Sequence, residues 1–242
     1  MTTNEAASLP TKVYFDGVPP EHQASLTLGY GVFTTLKVLD GQPQQLDAHL
    51  TRLNQHAQQL NLNHQLPPKT LKQHIDRYLR QISTPDIALK ISLFPTSPLN
   101  LNQGVIYLLT HRPIPKESHI KLRIAPNPLH SQRPLAGIKT LSYADNIHTL
   151  NWAKSQGADD AILLNERQEL VETTIANLFL KIDGQWHTPS LESGCLAGIA
   201  RDHFIQENQA KESTLTLDDL NRAEAIQVTN SLRVCTASLL KQ

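Results

Sequence analysis

The sequence predicts an α+β fold in two successive mixed halves. Three observations carry that prediction. Runs rich in β-branched and aromatic residues end in Asp-Gly turns at 16–17 and 40–41. Stretches with a helical apolar period alternate with those runs. A polar, proline-rich connector, "HRPIPKESH" (111–119), divides the chain. Neighbouring strands are often joined by short turns, which argues against a doubly wound parallel sheet.

Taken in order, "KVYFDG" (12–17) predicts a strand closed by an Asp-Gly turn. "GVFTTLKVLDGQPQQL" (31–46) predicts two strands about a second such turn, its threonines, valines and phenylalanine suiting a pleated surface. The period changes at "DAHLTRLNQHAQQLNL" (47–62). There Leu50, Leu53, Ala57 and Leu60 recur at helical spacing, and Asp47 is the predicted N-cap. "PKTLKQHIDRYLRQI" (68–82) predicts a second amphipathic helix. "IALKISLF" (87–94) and "GVIYLLTHRP" (104–113) predict strands on either side of a Pro/Asn-rich loop. The second half predicts a strand at 120–126, a helix at 144–157 and a strand at 159–165. One long strand, "LVETTIANLFLKI" (170–182), then turns through "DGQWHT" (183–188). A helix at 198–210 and a final strand at 224–230 complete it. The expected domains are 1–113 and 120–242.

Composition narrows the function classes. Lysine plus arginine equals aspartate plus glutamate, 22 each. A neutral total speaks against bulk electrostatic binding to nucleic acid or to a membrane surface. No segment has the unbroken apolar length of a bilayer span. The polar N-terminus "MTTNEAASLPTK" has no apolar leader pattern. Two cysteines, Cys195 and Cys235, without CxxC spacing suit a reduced, cytoplasmic setting and read as buried small hydrophobes. "GYGVFT" (29–34) imitates the start of a dinucleotide fingerprint but lacks the third glycine and leads into a hairpin. His49 and His56 share a helical face without an acidic or cysteine partner at metal spacing, so they read as packing or solvated histidines, not ligands.

Three charged residues stand in apolar or small-residue surroundings: Arg52 in "HLTRLNQHA", Lys139 in "AGIKTLSY" and Glu172 in "ELVETTIANLFL". Each alone reads as an exposed or salt-bridged charge. Four segments in order change that reading. "GYGVFTTLKVLDGQPQQLDAHLTRL", "GIKTLSYADNIHTLNWAKSQGADDAILLN", "LVETTIANLFL" and "TPSLESGCLAGIAR" resemble the successive motifs of the fold-type IV pyridoxal-phosphate enzymes. That family, the class IV aminotransferases, includes branched-chain and D-amino-acid aminotransferases and 4-amino-4-deoxychorismate lyase.

The resemblance implies a smaller N-terminal and a larger C-terminal α/β domain, pyridoxal 5'-phosphate between them, a small-molecule substrate and a homodimer. It implies that Lys139 bonds covalently to the cofactor and then moves protons at the substrate carbon, for which a lysine amine needs burial or nearby positive charge. Glu172 would face the pyridine nitrogen and keep it protonated. Arg52 would grip the phosphate. The backbone N–H groups of Ile199 and Ala200 would also cradle it at a helix start. Asn230 and Ser231 fall near the remaining phosphate ligand. Residue 200 is threonine in many relatives, and alanine removes that hydroxyl here.

Two features favour the lyase branch over an aminotransferase acting on branched-chain or D-amino acids. "GVFTT" carries Thr34 and Thr35 where aminotransferases commonly have glutamate, and a threonine hydroxyl there would relay a proton. "VTNSLRV" resembles the lyase more than the aminotransferases. Departures accompany this. Pro95 and Thr96 stand where many relatives have Arg-Gly, Tyr30 replaces an acidic residue, and "HQASL" replaces Asp-Arg-Gly. Arg112, Arg133 and Arg233 are the alternative carboxylate-binding residues, and spacing does not choose among them.

Overall fold

The computed structural model describes residues 11–63 and 65–240. The first ten residues, which hold most of the polar N-terminal stretch, lie outside the described residues. The chain forms two compact units. One comprises residues 1–113 with 139–142, and the other 114–138 with 143–242. Among the described residues no helix is long and apolar enough to cross a membrane.

The first unit is a five-stranded sheet with helices on one face. Its strands are β1 (Lys12–Phe15), β2 (Val32–Leu39), β3 (Gln42–Pro43), β4 (Ile87–Pro95) and β5 (Val105–Arg112). The order is β1-β5-β4-β2-β3. The helices are α1 (Ala24–Thr27), α2 (Leu46–Gln59) and α3 (Pro68–Leu79). The β2–β3 hairpin turns at Asp40 and Gly41, both at positive φ. The Asp-Gly pair at 16–17 makes no hairpin, because β1 pairs parallel with β5.

Strand alternation gives the sheet two unlike faces. Val32, Thr34, Leu36 and Val38 are buried on one, while Phe33, Thr35 and Lys37 are half-buried on the other. Helices α2 and α3 cover the first face with Leu50, Leu53, Ala57, Leu71, Ile75 and Tyr78. Tyr78 stacks on Phe15, and its hydroxyl bonds Asp16 and His111. Asp47 is not the N-cap of α2. The helix begins one residue earlier, behind Gln45 at φ 53°, and Asp47 instead pairs with Lys72 of α3 at 2.5 Å. "GYGVFT" has a packing explanation. A Cβ on Gly31 would lie 2.6 Å from the Leu93 carbonyl and 2.8 Å from Leu141.

The second unit holds an eight-stranded mixed sheet. Its strands are β6 (His119–Ile124), β7 (Asp160–Leu164), β8 (Leu170–Thr173), β9 (Asn177–Ile182), β10 (Gln185–Pro189), β11 (Lys211–Ser213), β12 (Ala225–Asn230) and β13 (Arg233–Leu239). The order is β11-β10-β9-β12-β13-β6-β7-β8. Helices α4 (Ala144–Ser155), α5 (Ile199–Asn208) and α6 (Leu217–Arg222) accompany it. A core of Ile120, Leu122, Ile162, Leu170, Leu178 and Leu180 packs with Leu215, Leu220 and Val228. Cys195 and Cys235 are free and buried.

Two sequence expectations fail here. "LVETTIANLFLKI" is two strands, with four others between them in the sheet order. The break is built by side chains. Asp160 Oδ1 accepts from the Thr174 N–H and hydroxyl, and Thr173 exchanges bonds with the Ala176 backbone. These threonine bonds compete with the ladder, which the apolar run conceals. The strand at 224–230 is also not the last. β13 follows and sits between β12 and β6. Its Cys235, Ala237 and Ser238 dilute the strand signal of Val234 and Thr236.

Leu36 is fully buried and Leu99 is 94% exposed. Leu36→Ala is expected to lower stability by about 2–5 kcal/mol in urea unfolding. Leu99→Ala is expected to stay within about 0.5 kcal/mol of the parent.

Candidate active site

In the first unit the site is built on β2 and α2. Residues 139–141 run antiparallel to residues 31–33. The Phe33 N–H donates to the Lys139 carbonyl at 2.9 Å and the Leu141 N–H to the Gly31 carbonyl at 2.8 Å, with Val32 bridged to Thr140. The Lys139 N–H donates to His56 Nδ1 at 3.1 Å. This pairing sets Lys139 opposite Phe33, and its Nζ lies 4.6 Å from the Phe33 ring centroid.

The two threonines of "GVFTT" point to opposite faces. Thr34 lies on the helix-covered face, fully buried. Its Oγ1 accepts from Arg52 Nη2 at 3.1 Å and bonds His49 Nδ1 at 2.6 Å. Arg52 donates to the hydroxyl oxygen, and the imidazole tautomer sets which partner donates in the Thr34–His49 bond. Thr35 lies on the Phe33 face, the face that carries the Lys139 amine.

The two histidines were not recognised from the sequence as site residues. Both are buried. Burial first, then the charges of Arg52 and Lys139, push His49 down to about 3 and His56 down to about 4. A buried helix face with a histidine on each side of the arginine, at 49, 52 and 56, was the available signal.

In the second unit Glu172 stands on β8 and Asn177 opens β9. Glu172 Oε2 accepts from the Leu196 N–H at 3.1 Å and from Asn177 Nδ2 at 3.5 Å. Asn177 Nδ2 also donates to the Leu196 carbonyl at 2.8 Å. One amide therefore joins the carboxylate to the loop that starts α5. Gly198 is the N-cap of α5 and provides no side-chain cap, so the N–H groups of Ile199 and Ala200 open the helix. Asn230 shapes the β12–β13 turn. Its Oδ1 accepts from the Leu232 and Arg233 N–H groups, and its Nδ2 donates to the Ile175 carbonyl. Ser231 follows it in that turn.

Two of the three candidate carboxylate-binding arginines are engaged elsewhere. Arg233 pairs with Glu117 at 2.6 Å, and Arg133 donates to the His130 and Gly194 carbonyls. Arg112 is on the Phe33 face of the first sheet.

Residues 31–237 match the family model described as amino-transferase class IV. The chain belongs to the class IV aminotransferase family. "Putative branched-chain-amino-acid aminotransferase" of Methanocaldococcus jannaschii is 25% identical, over 85% of this chain and 76% of its own. "Putative aminodeoxychorismate lyase" of Schizosaccharomyces pombe is 34% identical over 96 residues, 38% of this chain and 42% of that relative's length. The crystal structure of "Putative 4-amino-4-deoxychorismate lyase" from Legionella pneumophila matches with TM-score 0.88 at 25% identity, covering 96% of this chain and 92% of that one.

Members of this family are enzymes that use pyridoxal phosphate, and the residues present fit the cofactor. A Cβ on Gly198 would fall 2.0 Å from Asn177 Oδ1, so this helix start accepts only glycine and stays open at the backbone. Thr229, opposite Asn177 in the ladder, has a fully buried hydroxyl with no hydrogen-bond partner among the described residues. A carboxylate held by a backbone amide and an asparagine supplies the anion that a pyridinium nitrogen needs.

Both buried imidazoles are neutral in the folded chain but bind a proton near pH 6.5 when unfolded. Protons therefore favour the unfolded chain. The stability these groups contribute is present in full above pH 6.5 and is lost as pH falls toward about 4 and then about 3. Urea stability is expected to fall between pH 7 and pH 4.5, with at most about 1.4 kcal/mol per pH unit from each histidine. His56→Asn removes one of the two proton sites and is expected to give a shallower slope. An unchanged slope would show that His56 stays protonated or exposed.

Proposed function

We propose that this chain is a 4-amino-4-deoxychorismate lyase, releasing pyruvate and 4-aminobenzoate. The observation that carries the reading is Thr35, a neutral hydroxyl on the sheet face that also carries the Lys139 amine. The likeness to a solved structure described as a lyase, across 96% of the chain, supports it. The branched-chain relative supports the second reading, an aminotransferase of the same family acting on branched-chain or D-amino acids.

Bound pyridoxal phosphate supplies an electron sink for the carbon that bears the substrate's amino group. Lys139 Nζ takes the proton from that carbon. Loss of enolpyruvate from the neighbouring ring carbon makes the ring aromatic, and the leaving group gains a proton to become pyruvate. Substrate atoms are conserved, so no oxidant or second substrate is needed. Thr35 is the group we assign to that proton relay, with a hydroxyl that both donates and accepts. Thr34 acts one layer away. It holds Arg52 and His49 together behind the strand.

Arg52 is assigned to the cofactor phosphate, and so are the Ile199 and Ala200 N–H groups and Ser231. Asn230 acts by shaping the turn that presents Ser231. Glu172 is assigned to the pyridine nitrogen. The proposal extends to a cytoplasmic homodimer with a small-molecule substrate, and light scattering tests the dimer.

Protein incubated with pyridoxal phosphate and then freed of unbound cofactor is expected to absorb at the edge of the visible, in a band that borohydride abolishes while the reduced cofactor stays attached. Lys139→Ala is expected to lack it. With aminodeoxychorismate, 4-aminobenzoate and pyruvate are expected to appear in equal amounts, and Thr35→Val is expected to slow this by about 10²–10⁴-fold. Turnover of amino donors with 2-oxoglutarate, and none of aminodeoxychorismate, would transfer the assignment to the aminotransferase.

A further inference from the structure

The strand β4 is buried along almost its whole length, and Lys90 is its single charged residue. Lys90 pairs with Thr35 across the ladder, so both side chains stand on the Phe33 face. Its Nζ is 4.5 Å from the Phe33 ring centroid, and Lys139 Nζ is 4.6 Å from the same centroid. The two ammonium nitrogens therefore lie within roughly 9 Å of each other, the sum of the two ring distances.

We propose that Lys90 binds the carboxylate of the substrate while its amino-bearing carbon reacts at Lys139, which makes Lys90 a determinant of acid specificity. The inference deepens the preceding reading and rests on it only for the reacting position at Lys139.

Three observations support an anionic ligand here. No carboxylate among the described residues pairs with Lys90, although most of its surface is removed from water. Burial, with Arg112 as the next contributor, lowers its pKa, so the site pays for a desolvated cation that an incoming anion would stabilise. The ring below it gives the ammonium a favourable surface that is not an acid, leaving its hydrogen-bonding capacity for a ligand. A ligand that presents its amine at Lys139 and a carboxylate at Lys90 fits within that upper bound.

The test uses the holoenzyme and three probes, 4-aminobenzoate, 2-oxoglutarate and aniline, with binding measured by calorimetry. Lys90→Met is expected to weaken 4-aminobenzoate and 2-oxoglutarate at least 10-fold and to leave aniline unchanged. Lys90→Arg keeps the charge and is expected to retain most of the carboxylate affinity. A visible spectrum identical to the parent's establishes that each variant is folded and loaded. If Lys90→Met will not fold, the Lys90→Gln variant replaces it with the same expectations. Carboxylate binding as tight in the Met or Gln variant as in the parent overturns the proposal. A parent that binds 2-oxoglutarate through Lys90 but ignores 4-aminobenzoate removes the lyase reading and leaves the assignment of Lys90 standing.

Discussion

The short pairing between residues 31–33 and 139–141 is the constraint on which the candidate residues of the first unit depend. Two backbone hydrogen bonds and one bridge fasten the Lys139 segment to the start of β2. Antiparallel pairing fixes side-chain direction along with position. A slip of one residue would turn Lys139 away from Phe33 and toward the helix-covered face. His56 reinforces the register by accepting the Lys139 N–H. Gly31 must be glycine because the Leu93 carbonyl and Leu141 leave no room for a Cβ.

The same strand divides structural duty from chemical duty by its pleat. Thr34 faces inward and completes a buried chain with Arg52 and His49, where an unsatisfied polar atom would be expensive. Thr35 faces outward, with Phe33, Lys90 and Lys139 on the same surface. Adjacent identical residues thus have unrelated surroundings. The neutral histidines belong to this division. A charged imidazole beside Arg52 would add repulsion to its desolvation, and both terms favour the uncharged ring.

Much of this was legible in the chain. Helical and strand periods located the four longer helices, α2 to α5, and most of the strands, while the short α1 and α6 carry too few residues to show a period. The four motif segments in order, and no single charge, made Lys139, Arg52 and Glu172 the candidates. A charge in an apolar run also occurs in "IALKISLF", at Lys90. What could not be read were arrangements that side chains make across distance. Nothing local in "LVETTIANLFL" announces that Asp160, earlier in the chain, captures Thr174 and divides the strand. Nor does spacing alone show that His49 and His56 straddle an arginine inside the fold. Helix periodicity identifies a shared face, but the choice between a wet and a buried face depends on what packs against it.

The break after β8 also explains how an acidic residue can occupy an otherwise apolar run. A continuous strand would carry Asn177 along the same ladder as Glu172, with side chains on opposite faces at an odd spacing of five. Separating β8 from β9 frees the two residues from that alternation. Asn177 can then reach Glu172 and the Leu196 carbonyl at once. The Leu196 N–H bonds the carboxylate directly. Glu172, Asn177 and the start of α5 are thereby held at fixed separations by short side chains, with Gly198 the residue that lets them approach. Rigid placement of a carboxylate relative to a helix start is what recognition of a ligand with a ring nitrogen at one end and a phosphate at the other requires. The interruption that defeats strand prediction is, on this reasoning, the feature that brings Glu172, Asn177 and the start of α5 together.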